Sequence, residues 1–164
     1  MALNALILVL TDPPDPLADL VRAAGFTRVL SSGTYLDSLR FRHHLARRLN
    51  VAPASVEADV VGEHGTSEVL MWSSARVGTA PVLDLMERSG GDRQELRRAI
   101  EHDVRYANIA IIEGNQASQF GIGIVSAALW KQCFETCSEQ VGRLEKTVNA
   151  LKNEVSHLRE KIRN

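Results

Sequence analysis

Ala58-Asp59-Val60-Val61-Gly62-Glu63-His64-Gly65-Thr66-Ser67-Glu68 is the stretch around which the chain is organised. A short, mostly apolar strand over 58–61 runs into a turn with glycine on both sides of Glu63-His64. Such a turn can hold a histidine at a strand end, facing a cleft rather than a core. Upstream lies a second polar cluster, Leu36-Asp37-Ser38-Leu39-Arg40-Phe41-Arg42. Asp37 and Arg40 are three apart, so on a helix they share a face. The two segments together supply an acid/base, a carboxylate to orient it and a guanidinium to grip an anion. A plain turn histidine and a surface helix ion pair would be spelled the same way.

Before this centre, Ala5-Leu6-Ile7-Leu8-Val9-Leu10 is a continuous apolar run, expected of a strand buried on both faces of a parallel sheet. It ends in Thr11-Asp12-Pro13-Pro14-Asp15-Pro16, a turn at the carboxyl end of that strand, where ligands gather in open α/β sheets. Asp15 is placed to cap a helix through Ala23, with Gly25 ending it. Residues 28–30 read as a second strand and 34–49 as a helix whose apolar face is mostly Leu36, Leu39, Leu45 and Leu49. Beyond the centre, 56–61 and 67–72 read as strands flanking the histidine turn. Pro53-Ala54-Ser55 reads as a loop, Gly78-Thr79-Ala80-Pro81 as a turn and 82–87 as a short helix. Leu96, Ile100, Val104, Ala107 and Ile111 give one long helix over 93–112.

The tail has a different pattern. Trp130, Phe134, Cys137, Val141, Leu144, Val148, Leu151, Val155, Leu158 and Ile162 are separated by gaps of four and three in alternation. That is a heptad seam, with Val141, Val148, Val155 and Ile162 at a and Leu144, Leu151 and Leu158 at d. Val at a with Leu at d predicts a parallel coiled-coil homodimer, with a trimer as the alternative. The face of an intramolecular helix is the other reading. Glu154 at g can pair with Arg159 at the next e of a parallel partner. Carried backward, the register meets Gly123 at d, which offers no knob. One helix over about 118–163, roughly 65–70 Å long at 1.5 Å per residue, is expected, coiled coil only in its second half.

With 164 residues and 45% apolar content the chain is one domain, or one domain with an appendage. A net charge of -1 argues against nucleic acid or an acidic membrane as main partner. The apolar run ending at Leu10 is too short to span a bilayer, so a cytoplasmic setting is the default. Cys133 and Cys137, the two cysteines, stand one helical turn apart and make no disulfide framework or metal cluster.

From about Asn4 to about Ala128 the wording resembles the NAD-dependent L-lactate dehydrogenases of the lactate/malate dehydrogenase family. Ser32-Gly33-Thr34-Tyr35-Leu36-Asp37-Ser38-Leu39-Arg40-Phe41-Arg42 and Gly62-Glu63-His64-Gly65-Thr66-Ser67-Glu68 occur in family order and spacing. The resemblance implies that His64 exchanges a proton, that Asp37 holds its tautomer and that Arg40 pairs with a substrate carboxylate. It puts Asp12 where the family has an asparagine touching cofactor and substrate, and Ser118 where a substrate-side Thr is common. A carboxylate at Asp12 would repel an anionic substrate. Arg42 matches an arginine that binds an allosteric sugar bisphosphate in bacterial members, but Glu57 stands seven residues before His64 where its basic partner belongs. Bisphosphate activation is therefore not expected.

The implied fold is α/β tending to α+β: a truncated lactate dehydrogenase-like substrate domain with a long C-terminal coiled-coil helix. The implied domains are a dehydrogenase-like fragment over 1–128, the end of a cofactor domain plus part of a substrate domain, and an oligomerisation helix over 129–164. No Gly-x-Gly-x-x-Gly turn follows a strand; Gly121-Ile122-Gly123 lacks the third glycine. The family cofactor, NAD, is thus not expected to bind the isolated chain tightly. The expectation is an oligomerising fragment without full activity alone, able to take a small 2-hydroxy or 2-oxo acid and calling for no metal. The alternative is an NAD-dependent L-lactate dehydrogenase.

Overall fold

The computed structural model describes residues 5–88, 90, 92–115 and 119–163, and the backbone alone for 115, 134, 137, 138, 141, 145 and 150–163. The chain divides into two units, Met1–Val125 and Ser126–Asn164.

In the first unit, β1 (Ile7–Val9) pairs in parallel with β2 (Val29–Ser31), Ile7 opposite Val29. The crossover is α1 (Pro14–Ala23), which buries Ala18 against Val9 and Val29. The expected parallel pairing is present, but burial on both faces is not: Leu6 and Leu30 are each 40% exposed. Among the described residues, this sheet has two strands. Asp15 does not cap α1. Pro13 stands at the N-cap position without a side-chain bond, and the Asp15 carboxylate instead accepts the backbone N–H of His64 at 2.7 Å.

The larger core forms around α2 (Gly33–Leu49). Phe41, Leu45 and Ala46 are buried there, whereas Leu36, Leu39 and Leu49 are only half-buried. Phe41 meets Trp72 edge to face, ring centres 4.8 Å apart. Val60, Leu70, Val82, Met86, Ile100 and Val104 close around them. The helix ends at Asn50, left-handed with φ 53°, a conformation asparagine tolerates.

The strands expected over 56–61 and 67–72 are shorter. They resolve into β3 (Val56–Glu57), β4 (Val60–Val61) and β5 (Val69–Leu70), β4 and β5 pairing antiparallel. β6 (Arg76–Val77) joins β3 to β7 (Ala80–Pro81) in a second antiparallel sheet. Residues 53–55 are a turn of 3-10 helix rather than a loop. Then come α3 (Val82–Arg88), α4 (Arg93–Arg105) and α5 (Ala107–Asn115). Asp92 caps α4 by accepting from Gln94 N–H at 2.8 Å. The single helix expected over 93–112 is thus two, interrupted at Tyr106. The last turn of α4 is tied sideways where Arg105 donates to the Glu68 carbonyl at 3.2 Å.

α6 runs from Gln119 to Arg163, 45 residues, as one helix. In the second unit the described side chains of Leu144 and Val148 are 65% and 47% exposed. Val141, Leu151, Val155, Leu158 and Ile162 of the heptad seam, and Cys137, lie outside the described side chains. No helix of the described residues is long and apolar enough to cross a membrane.

Candidate functional site

Two elements bring the polar cluster together. Asp37 and Ser38 lie on the inner face of α2 and are buried. Ser38 Oγ accepts the backbone N–H of Val60 at 2.9 Å and donates to the Thr34 carbonyl at 2.7 Å. That bond pins β4 to α2, so the turn after β4 falls beside the first half of the helix. Gly62 and Gly65 have φ of 96° and 121°, values open to glycine and costly for other residues. They fold the turn tightly enough to swing His64 back over α2. Gly33, at the start of α2, makes room for it. A Cβ on Gly33 would run into His64 Cβ and come within 2.9 Å of its Cγ.

His64 Nδ1 lies 2.5 Å from Asp37 Oδ2, and Arg40 donates to Asp37 Oδ1 at 3.0 Å. Asp37 is 1% exposed, and the side chains of His64 and Arg40 are 12% exposed each. A fourth residue, Asn108 on α5, spans the other two. Its Oδ1 accepts from the second outer nitrogen of Arg40 at 2.5 Å, and its Nδ2 lies 2.9 Å from His64 Nε2. A cavity of about 40 Å³ adjoins His64 and Asn108, lined also by Leu10, Asp12, Pro14 and Ile122.

The hydrogen bond to Asp37 holds the His64 imidazole above its ordinary pKa of 6.5; burial opposes it, the charges of Asp37 and Asp12 add to it, and Arg40 works against it. A raised folded-state value stabilises the fold fully below the ordinary value, and that stabilisation is lost as pH rises through the raised one. Glu68 is a second buried carboxyl, 2% exposed, and among the described residues neither oxygen has a partner in good hydrogen-bond geometry. Burial first, then Asp37 beside it, push it up to about 8. Asp37, His64 and Glu68 each offer an atom within 4.8 Å of the others. A cation bound there would face the Arg40 guanidinium already paired with Asp37, so protons suit this cluster better than a metal.

The structure therefore gathers Asp37, Arg40, His64 and, on the cavity wall, Asp12. Ser118 lies outside the described residues. Arg42 is engaged elsewhere, donating to the Ala58 carbonyl at 2.8 Å and pairing with Asp59 at 2.6 Å. Sequence reading missed Asn108, and it quoted Glu68 without giving it a role. The local pattern does not single out Asn108, which lies beyond the break at Tyr106 on a second helix.

A buried imidazole–carboxylate pair beside a guanidinium has the groups that proton exchange and pairing with an anion require. The family profile described as "lactate/malate dehydrogenase, alpha/beta C-terminal domain" matches residues 34–155. The L-lactate dehydrogenase of Thermus aquaticus is 45% identical over 130 residues, covering 77% of this chain and 42% of the relative. That of Allorhizobium ampelinum is 42% identical over 132 residues, covering 78% and 43%. A solved lactate dehydrogenase from a Medee basin deep-sea metagenome library superposes with a TM-score of 0.68 at 35% identity, covering 74% of this chain and 40% of that one. The chain belongs to the lactate/malate dehydrogenase family and carries its C-terminal α/β domain. It spans about two-fifths of the length of the curated relatives it matches. The profile match runs on past Ala128, where the resemblance was expected to stop; α6 is unbroken there.

Proposed function

We propose that this chain is the acid-binding, proton-handling part of an L-lactate dehydrogenase-like protein, self-associating through its C-terminal helix. Arg40 pairs with the carboxylate of a small 2-oxo or 2-hydroxy acid. His64 exchanges a proton with the acid's oxygen, and Asp37 fixes the imidazole and stabilises its charged form. The observation that carries this reading is the buried contact of His64 and Arg40 with one carboxylate, Asp37.

NAD, which the family implies, finds no phosphate seat at the turn after β1. The turn after β1 opens α1 with Pro13, Pro14 and Pro16, which have no N–H to offer a phosphate, and Asp12 and Asp15 put carboxylates there. The residues of this chain account for acid binding and proton exchange, not hydride transfer. The second reading, a complete NAD-dependent L-lactate dehydrogenase activity, is favoured only by the relatives. One experiment separates them. With pyruvate and NADH added to the 164-residue chain, the pyruvate methyl resonance should broaden on binding while NADH absorbance stays constant. No broadening refutes the proposal. Turnover that disappears in His64→Ala establishes the second reading instead.

A further inference from the structure

We propose that Asn108 is a proton-gated latch on the acid site: its carboxamide occupies the place of the ligand while His64 is neutral and leaves when His64 is protonated. The inference rests on the reading of Arg40 and His64 as the acid's partners, and specifies what the site must displace to bind it.

The geometry carries it. Asn108 is half-buried near the start of α5 and holds Arg40 and His64 at once, through contacts of 2.5 Å and 2.9 Å. Arg40 is a donor only, so the amide must present its oxygen there. That leaves the amide nitrogen, also a donor, facing His64 Nε2. The contact is a hydrogen bond only if Nε2 carries no proton, which puts the imidazole proton on Nδ1, toward Asp37. Protonating His64 places N–H against N–H. Turning the amide over repairs that contact and breaks the one to Arg40. A carboxamide has one acceptor end, so it cannot serve a guanidinium and an imidazolium together. A 2-oxo acid has acceptor oxygens on both sides and can. The amide stands between Arg40 and His64, where such an acid's oxygens would sit, on the wall of the adjoining cavity.

The charges facing His64 favour opening. Asp37 and Arg40 come from α2, Asp12 from the turn after β1, Asp15 from α1 and Glu68 from the segment before β5. Asp37 and Asp12 favour the imidazolium and Arg40 opposes it. Asp15 spends its bond on the His64 backbone.

The test uses the full chain, Asn108→Ala and Asn108→Asp, with oxamate as the probe. Calorimetry at a pH above the parent's His64 titration midpoint should give oxamate affinity about tenfold higher for Asn108→Ala than for the parent, the fold-change of one competing hydrogen bond. Asn108→Asp, whose carboxylate accepts from both cations, should bind least. A readout without oxamate comes from the His64 ring nitrogens by NMR. Removing the donor to Nε2 should move the His64 titration midpoint upward in Asn108→Ala, and further upward in Asn108→Asp. An unchanged midpoint in Asn108→Ala, or equal oxamate affinity in parent and Asn108→Ala above the parent's midpoint, overturns the latch. Shifted midpoints with no oxamate binding to any of the three uphold Asn108 as the partner of His64 but overturn both the gate and the acid-site reading.

Discussion

Phe41→Ala should cost about 3–5 kcal/mol, the usual toll for deleting a fully buried ring. Phe41 is 0% exposed and sits at the junction of α2, β4, β5 and α4. Its edge-to-face contact with Trp72 adds roughly 0.5–1.5 kcal/mol beyond area burial. A domain of this size is stable by about 5–15 kcal/mol, so the loss removes a large share of the total. The site should suffer with the core, because Arg40 adjoins Phe41 on α2 and Asp37 lies one turn before. Urea unfolding checks it. A variant within about 1 kcal/mol of the parent would mean that the cavity collapses freely, against a close-packed core.

The second large effect is all-or-none. The parent chain should sediment as a dimer, with a trimer next, and a Leu144→Asp, Leu151→Asp double variant should sediment as a monomer. Over 141–162, a positions are Val or Ile and d positions Leu, none of them Asn. The strand number then rests on the Val/Leu pattern. Leu144 and Val148 are 65% and 47% exposed. Association would take that stripe out of water at roughly 25 cal/mol per Å² of apolar surface. Cys137 falls at d, so parallel copies would meet there and cross-link under oxidation, while a reducing compartment would keep them free. A monomeric parent, or a double variant that stays oligomeric, would make the heptads the packed face of an intramolecular helix.

The polar centre was legible because its residues are close in sequence to rigid local features. Asp37 and Arg40 share a helix face, and His64 sits between two glycines, so two elements suffice to place all three. Asn108 was not legible as a site residue, since its position depends on where α5 starts. The apolar spacing through Leu96, Ile100, Val104, Ala107 and Ile111 runs on without a glycine or proline to announce the break at Tyr106. A tertiary bond, Arg105 to the Glu68 carbonyl, lies at that point instead, and local pattern carries no trace of it. Asp15 shows the same limit. Its position looked like a helix cap, but the three prolines beside it leave few amides to cap, and the His64 backbone amide takes the carboxylate.

The most direct measurement is the pH dependence of oxamate binding to the full chain, by calorimetry, beside Arg40→Leu. His64 stands above its ordinary pKa of 6.5 because Asp37 hydrogen-bonds to it. The charged imidazole is the form that donates to an anion. Affinity should therefore be constant below the raised value and fall by about tenfold per pH unit above it, one proton being taken up per oxamate bound. Arg40→Leu should weaken binding at every pH. Affinity that does not vary with pH, or that survives the loss of Arg40, would contradict a site in which His64 and Arg40 hold one acid between them.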